Sequence, residues 1–312
     1  MSEMKAIRVA YGEALVQLGR EDPRIVALDA DLAHATMSAT FAAEFPNRFF
    51  NVGIAEANMV DMAAGLSLMG YIPFASTFAV FAGRAFEQIR NGVAYPHLNV
   101  KLAMTHAGIT LGEDGGSHQA IEDIALMRAL PGMTVLVPSD AHETFRAVRA
   151  ASQIDGPVYL RLARLPSPVF EEDQPFEVGR ANILRKGADV AIITCGIMVA
   201  SCLEAAGILQ HQGIQATVVN MHTIKPIDRQ VILDCAEKCG CMVSVEEHSI
   251  IGGLGDAVGD VLLQGRSSIA LHKIGVQDQF GQSGKPEDVL HEYGLAVSDL
   301  ANTVEHFVKG AK

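Results

Sequence analysis

Short apolar runs alternate with segments of helical periodicity along most of the chain. Residues 5–19 have the spacing of an amphipathic helix, with Ile7, Ala10, Leu15 and Leu18 as its apolar anchors. Runs at 24–28, 49–52, 73–76, 100–105, 134–137 and 158–161 read as strands. Between them, 40–44, the stretch from residue 56, 78–94, 121–129 and 141–153 read as helices. Such alternation predicts a mostly parallel sheet covered by helices on both faces. A proline-rich, acidic stretch at 165–175 reads as a linker. A second alternation follows, with strands at 190–194, 216–220, 242–246 and 272–276. Its helices are predicted at 199–212, 228–238, after the glycine loop 251–259, and over much of 289–308. The expected fold is α/β in two domains, each a mostly parallel sheet flanked by helices. The expected boundaries are 1–165, a linker at 166–180, and 181–312.

Composition narrows the class. With 312 residues, 49% of them hydrophobic, the chain can fill two cores. Its net charge of −12, from 24 basic and 36 acidic residues with no basic block, argues against nucleic acid and anionic membrane surfaces as partners. Residues 62–83 lack Asp, Glu, Lys and Arg, but Gly65, Gly70, Pro73, Ser76 and Thr77 interrupt them. This stretch reads as buried helix, turn and strand, not as a membrane span. No signal peptide precedes the first helical pattern, and a cytoplasmic protein is expected. Cys235, Cys239 and Cys241 cluster without a CxxC pair, so buried reduced thiols are favoured over a zinc site; Cys195 and Cys202 complete the set.

The candidate chemistry begins at Phe50-Asn51-Val52-Gly53-Ile54-Ala55-Glu56. A strand ends near Gly53 and a helix starts, with Glu56, Met59, Ala63 and Leu66 on one stripe. An acid therefore heads an otherwise apolar face. Burial of its charge costs several kcal/mol unless it is paired or neutralised, which predicts a raised pKa and a role in proton handling or hydrogen bonding. A capping carboxylate turned to water is the alternative. The loop 105–119 follows a strand and carries His106, Glu113, Asp114 and His118 among four glycines. Histidine is the natural proton shuttle near neutral pH, although a polar surface loop has the same composition. Phe78, Phe81 and Arg84, three apart, offer two rings to a flat heteroaromatic ring and a guanidinium to an anionic substrate group, or else simply pack a core. Gly253-Leu254-Gly255-Asp256-Ala257-Val258-Gly259 has dinucleotide-loop spacing, but a tight strand-to-helix turn explains it more simply.

Together these residues resemble the C-terminal part of a transketolase: a thiamine diphosphate pyrimidine-binding domain followed by the family's C-terminal domain. The resemblance is carried by Gly53-Ile54-Ala55-Glu56, Ser76-Thr77-Phe78-x-x-Phe81 and His106-x5-Gly112-Glu113-Asp114-Gly115-x-x-His118-Gln119. Pro138-Ser139-Asp140 and Thr223-Ile224-Lys225-Pro226-Ile227-Asp228 add to it. It implies that Glu56 bonds the aminopyrimidine ring of thiamine diphosphate and drives formation of the ylid. Phe81 would stack on the pyrimidine and Phe78 line its pocket, with Asp31 and Leu32 near the thiazolium. His106, Asp114 and His118 would contact the sugars, with His106 and His118 catalytic and His118 handling protons. Arg164 and Arg8 would bind the sugar phosphate. Two departures stand out: Ala35 where transketolases commonly have serine, and Arg84 where many have tyrosine; an arginine there looks more like deoxyxylulose phosphate synthase.

The family holds diphosphate and a divalent metal (Mg2+, or Ca2+ or Mn2+) through a GDG motif, and no GDG occurs here. The expectation is one subunit of a split transketolase. A separate N-terminal subunit would carry the metal site, in an α2β2 assembly that transfers a two-carbon ketol unit between sugar phosphates. The β subunit of a 2-oxo acid dehydrogenase decarboxylase, a deoxyxylulose phosphate synthase-like enzyme, and a non-catalytic partner are the alternatives.

Overall fold

The computed structural model describes residues 3–170 and 174–310. Among these residues the first strands in chain order are β1 Met4–Ala6, β2 Ile25–Asp29, β3 Phe49–Asn51, β4 Ile72–Phe78, β5 Lys101–Thr105, β6 Thr134–Leu136 and β7 Val158–Arg161. They are followed by β8 Pro166–Pro168, β9 Asn182–Arg185, β10 Val190–Thr194, β11 Ala216–Asn220, β12 Thr223–Lys225, β13 Cys241–Ser249 and β14 Leu271–Val276. A seven-stranded sheet has the order β12-β6-β7-β5-β4-β2-β3 and is parallel except where β12 meets β6. A five-stranded sheet has the order β14-β13-β10-β11-β9, parallel except for the edge strand β9. Strands β2, β4, β5 and β7 are buried at every position, because helices cover both faces of the sheet.

Four features depart from the sequence pattern. The expected linker starts as structure: β8 pairs antiparallel with β1, and Ser167 is buried with its Oγ donating to the Ser139 carbonyl at 3.0 Å. Proline is tolerated there because the pair stands at an edge. Residues 171–173 of that linker lie outside the described residues. The second departure is β12, which comes from the second half of the chain yet closes the edge of the first sheet, with Val137 N–H donating to His222 O at 2.8 Å. Three residues are too few to carry a periodicity.

The third departure is the helix expected over 78–94. Phe78 instead ends β4, and the chain continues through a short α-helix Ala79–Ala82, a 3-10 turn Gly83–Ala85, a further turn Phe86–Gln88 and a π-helical turn Ile89–Ala94. Gly83, a weak helix former, stands at the break. Fourth, the last helical stretch is two helices, Pro286–Glu292 and Val297–Gly310, separated at Gly294.

The two sheets share a core. One apolar cluster runs from Val135 and Val137 of the first half to Ile193, Met221 and Leu254 of the second. Polar ties cross the same boundary. Glu143, on the helix Ala141–Gln153 capped by Asp140, accepts from Ser139 N at 2.6 Å and Ser139 Oγ at 2.7 Å. Its other oxygen accepts from Asn220 Nδ2, at the end of β11, at 2.8 Å.

Burial pushes the Glu143 carboxyl up from the ordinary 4.5 to about 7. A carboxyl raised on folding favours the folded state in acid, and that contribution is lost as pH rises from about 4.5 to about 7. Glu143→Gln is expected to remove the loss, with the Asn220 amide turned so that its unbonded Oδ1 accepts from the new amide. Urea unfolding at pH 8 should find the variant more stable than wild type by roughly 1–3 kcal/mol, with little difference at pH 4.5. Parallel pH profiles for the two proteins would contradict this.

Candidate active site

The neighbours β7, β5, β4 and β2 run parallel, so their carboxyl ends share one edge, where sheets of this kind bind ligands. Asp29 and Asp31, Phe78, His106 and Arg164 all lie at or just beyond those ends. Beside them, β3 ends at Asn51, whose Oδ1 accepts from Gly53 N at 3.0 Å. Gly53 has φ +72°, a conformation strained for any residue with a Cβ, and this turn feeds the helix Glu56–Leu68.

Glu56 is 5% exposed and heads the stripe in which Met59 and Ala63 are fully buried. Its carboxylate has a partner: Arg84 Nη1 lies 3.2 Å from Oε1. The break at Gly83 carries Arg84 across to the acid, a contact that a continuous helix over 78–94 does not imply.

An aromatic wall stands beside this pair. The Phe78 and Phe81 rings are nearly parallel, 8° between planes and 5.7 Å between centroids. His106 stacks on Phe78 at 3.8 Å, and His118 meets Phe81 edge-on at 5.5 Å. The Arg84 guanidinium lies 4.6 Å from the centroid of Phe81. The loop 105–119 and the segment 78–84 are thus brought to one face.

His106, 3% exposed, adopts φ +58° at the end of β5, with its Nδ1 2.9 Å from Thr105 Oγ1. Burial first, then the Arg8 and Arg164 guanidiniums, push its pKa down to about 3. Its imidazole is therefore neutral near pH 7 and can offer hydrogen bonds but no charge. Arg8, half-buried in the helix Ile7–Glu21, donates to Ala35 O at 2.8 Å and leaves Nε buried without a partner. Burial and Arg164 lower its pKa. Arg164 itself donates to the Leu111 carbonyl. Two guanidiniums converging beside a neutral imidazole form an anion-seeking corner.

Asp31 and Leu32 line a cavity of about 750 Å3 with Ala33, His34, Ala35 and Asn51. Asp31 is exposed at φ +68° and accepts from Asn51 Nδ2 at 3.3 Å. The turn is held from below by Asp29, fully buried, which accepts from Leu32 N at 2.6 Å, Thr36 Oγ1 at 2.7 Å and Ser38 Oγ at 2.9 Å. Asp114 lies exposed towards the tip of the loop 105–119, and His118 is half-buried with Nδ1 3.0 Å from Ser117 Oγ.

Two other sequence signals resolve without a ligand. The N–H groups of Leu254 and Gly255, which begin the helix Leu254–Gln264, donate to the Glu246 carboxylate at 2.7 and 2.8 Å. The glycine loop is a self-capped turn. The five cysteines are free and buried, and no group of three or more His, Cys, Asp or Glu that could hold a metal occurs among the described residues. No described helix is long and apolar enough to cross a membrane.

Residues 3–168 match the family model for the transketolase pyrimidine binding domain, and residues 179–300 match that for the transketolase C-terminal domain. The chain belongs to the transketolase family. It is 48% identical over 309 residues to a putative transketolase C-terminal section of Methanocaldococcus jannaschii, covering 98% of this chain and 97% of that one. It is 42% identical to a 6-deoxy-6-sulfo-D-fructose transketolase subunit of a Clostridium species, covering 94% and 92%. Its structure is similar to that of a split gene transketolase solved as an inactive beta4 tetramer, with TM-score 0.91, 53% identity, and coverage of 98% and 99%. The chain thus has the extent of a separately encoded C-terminal transketolase section.

Sequence reasoning missed the contact between the loop 105–119 and the second half of the chain: Thr110 Oγ1 donates to Glu247 Oε2 at 2.8 Å, with Arg161 3.8 Å from the same carboxylate. The one available signal was Glu246-Glu247-His248 inside an otherwise apolar strand, since charges in a buried strand need partners from elsewhere.

The His106 imidazole is expected to stay neutral down to about pH 4, read by 15N-edited NMR of its ring. Arg8→Gln should raise its pKa, and Arg164→Gln likewise, while burial keeps both values below that of a free histidine. Titration of His106 in wild type between pH 5 and 7 would contradict the placement.

Proposed function

We propose that this chain is the C-terminal subunit of a split, thiamine diphosphate-dependent transketolase, moving a two-carbon ketol unit from a ketose phosphate to an aldose acceptor. The observation that carries the reading is the buried Glu56 carboxylate beside the flat Phe78–Phe81 wall, in a chain that matches half-length transketolases end to end. These residues fit a planar aminopyrimidine: an aromatic face to stack on and an acid to meet a ring nitrogen. Arg84 covers both in this structure, but its side chain is 57% exposed and free to swing outward. Bound thiamine diphosphate supplies a carbon nucleophile and an electron sink.

The residues of this chain then divide the remaining work. Glu56 holds a proton at the pyrimidine nitrogen, and Phe81 and Phe78 fix the ring plane. Asp31 and Leu32 close the thiazolium side. His106, neutral, donates or accepts a hydrogen bond at a sugar oxygen. His118 moves a proton at the carbonyl or hydroxyl of the reacting sugar. Asp114 reads hydroxyl stereochemistry. Arg8 and Arg164 bind the terminal phosphate, and Arg84, once exchanged from Glu56, is a third candidate for an anionic group of the substrate.

A partner subunit with the GDG motif would hold the diphosphate and Mg2+, so the site is complete only in a mixed assembly, α2β2 in form. That the similar split gene transketolase is inactive as a beta4 tetramer supports this division of labour. Free, buried thiols and carbohydrate substrates fit a cytoplasmic enzyme.

The test is co-purification with an N-terminal-type subunit and assay of the pair with thiamine diphosphate and Mg2+. The pair is expected to transfer ketol units, and each subunit alone is expected to be inactive. Pyruvate decarboxylation without ketol transfer would replace this reading with a 2-oxo acid decarboxylase. Glu56→Gln is expected to lower kcat by about 10²–10⁴ while the pair still assembles on size exclusion. Unchanged turnover would remove Glu56 from the mechanism.

A further inference from the structure

The loop 105–119 leaves the first sheet at the end of β5 and is gripped by the second. Glu247, on β13, is 3% exposed. Its Oε2 accepts from Thr110 Oγ1 at 2.8 Å, and the Thr110 backbone N–H also donates to the carboxylate. Arg161 approaches the same carboxylate from β7, with Nη1 3.8 Å from Oε1, and Nη2 donates to the Glu247 carbonyl at 3.1 Å. That guanidinium is shared: its Nε lies 2.9 and 3.1 Å from the Asp123 oxygens, and Asp123 also takes the Tyr159 hydroxyl at 2.8 Å. Asp123 thus has the close contacts and Glu247 the distant one. The donors that complete Glu247 come from the loop.

Steric fit points the same way. A Cβ on residue 108 would lie 2.2 Å from the Glu247 carboxyl carbon, and Gly108 has φ +84°, so glycine is required on both counts. A second tie closes the other end. Gln119 Nε2 donates to Ile109 O across the loop and to Gln282 O after β14, each at 3.0 Å. Ile109, Thr110 and Leu111 are fully buried, whereas Glu113, Asp114 and Ser117 are exposed. The loop therefore has a fixed root, held by the second half of the chain, and a tip turned to solvent.

We propose that Glu247 is a positioning residue for the sugar site: acting through Thr110, it fixes the loop that presents His106, Asp114 and His118 without itself touching substrate or cofactor. The proposal rests on the transketolase reading for its kinetic consequence. Its structural content stands alone. It assigns to the second half of the chain control over sugar affinity, separate from the Glu56 pocket.

Two measurements test it. In the isolated chain, hydrogen exchange of peptides spanning 107–118 is expected to accelerate about ten-fold in Thr110→Val and Glu247→Gln, and to stay near wild type in Thr110→Ser, which keeps the hydroxyl. Unchanged exchange in Thr110→Val overturns the clamp. In the assembled enzyme, Thr110→Val is expected to raise KM for the sugar donor about ten-fold, with thiamine diphosphate affinity unchanged and Thr110→Ser restoring KM. An unchanged KM, or a parallel loss of cofactor affinity, overturns the positioning role. Faster exchange together with a wild-type pair that transfers no ketol units would leave the clamp standing and refute the proposed function instead.

Discussion

A charge buried away from water costs several kcal/mol unless another group in the fold answers it. This protein buries many. Arg161 is wedged between Asp123 and Glu247, Glu246 caps the helix Leu254–Gln264, and Glu143 takes donors from both halves of the chain. Lys101, fully buried on β5, spends its ammonium on the carbonyls of Ile154 and Gly156 at 2.7 and 2.9 Å, and burial pushes its pKa down to about 7. Each answer comes from a different element, and several cross between the two sheets. The polar network therefore fixes how the halves dock, a relation that the shared apolar cluster alone would leave free to slide.

The docking matters because one loop of the candidate site, 105–119, is rooted in the second half. The parallel strands deliver Asp29, Phe78, His106 and Arg164 to one edge at no cost in local strain beyond two left-handed residues, Asp31 and His106. The loop that begins at His106 would hang free from that edge if nothing met its root. Glu247 meets it at Thr110, and the Gln282 carbonyl meets it at Gln119, so residues of the second half support the loop of the candidate site.

Under the proposed function, the residues of this chain form one wall of a cleft. Glu56 and the Phe78–Phe81 wall can receive a pyrimidine, and the Arg8–Arg164 corner can receive a phosphate, yet no described cluster could hold a metal. Arg84 lies across Glu56 and Phe81 where the ring would stack. An ion pair with a half-exposed arginine is weak enough to exchange for a ligand that satisfies the same carboxylate.

Long regular elements were legible in the residues themselves. The strands at 158–161, 190–194 and 216–220 and the helix Ala141–Gln153 follow the apolar pattern to the residue, because each is long enough to carry a period and each is flanked by turn chemistry. Gly53 before Glu56 was legible as the turn it is, with φ +72°, whereas the glycines between His106 and His118 make room here for Glu247, Arg164, Ser283 and Gly281. Two short strands did not show, β12 and the proline-bounded β8, although β3 and β6 are as short and carried their apolar runs. Nor could the pattern reveal who partners whom. The sequence determined which residues face a core and which chemistry the loops carry, since those follow from hydrophobic period and side-chain type. Only the tertiary structure decided that Arg84 turns back to Glu56, that β12 crosses to the first sheet, and that Glu247 holds the loop through Thr110. Those are contacts between residues distant along the chain, set by how two sheets settle against each other.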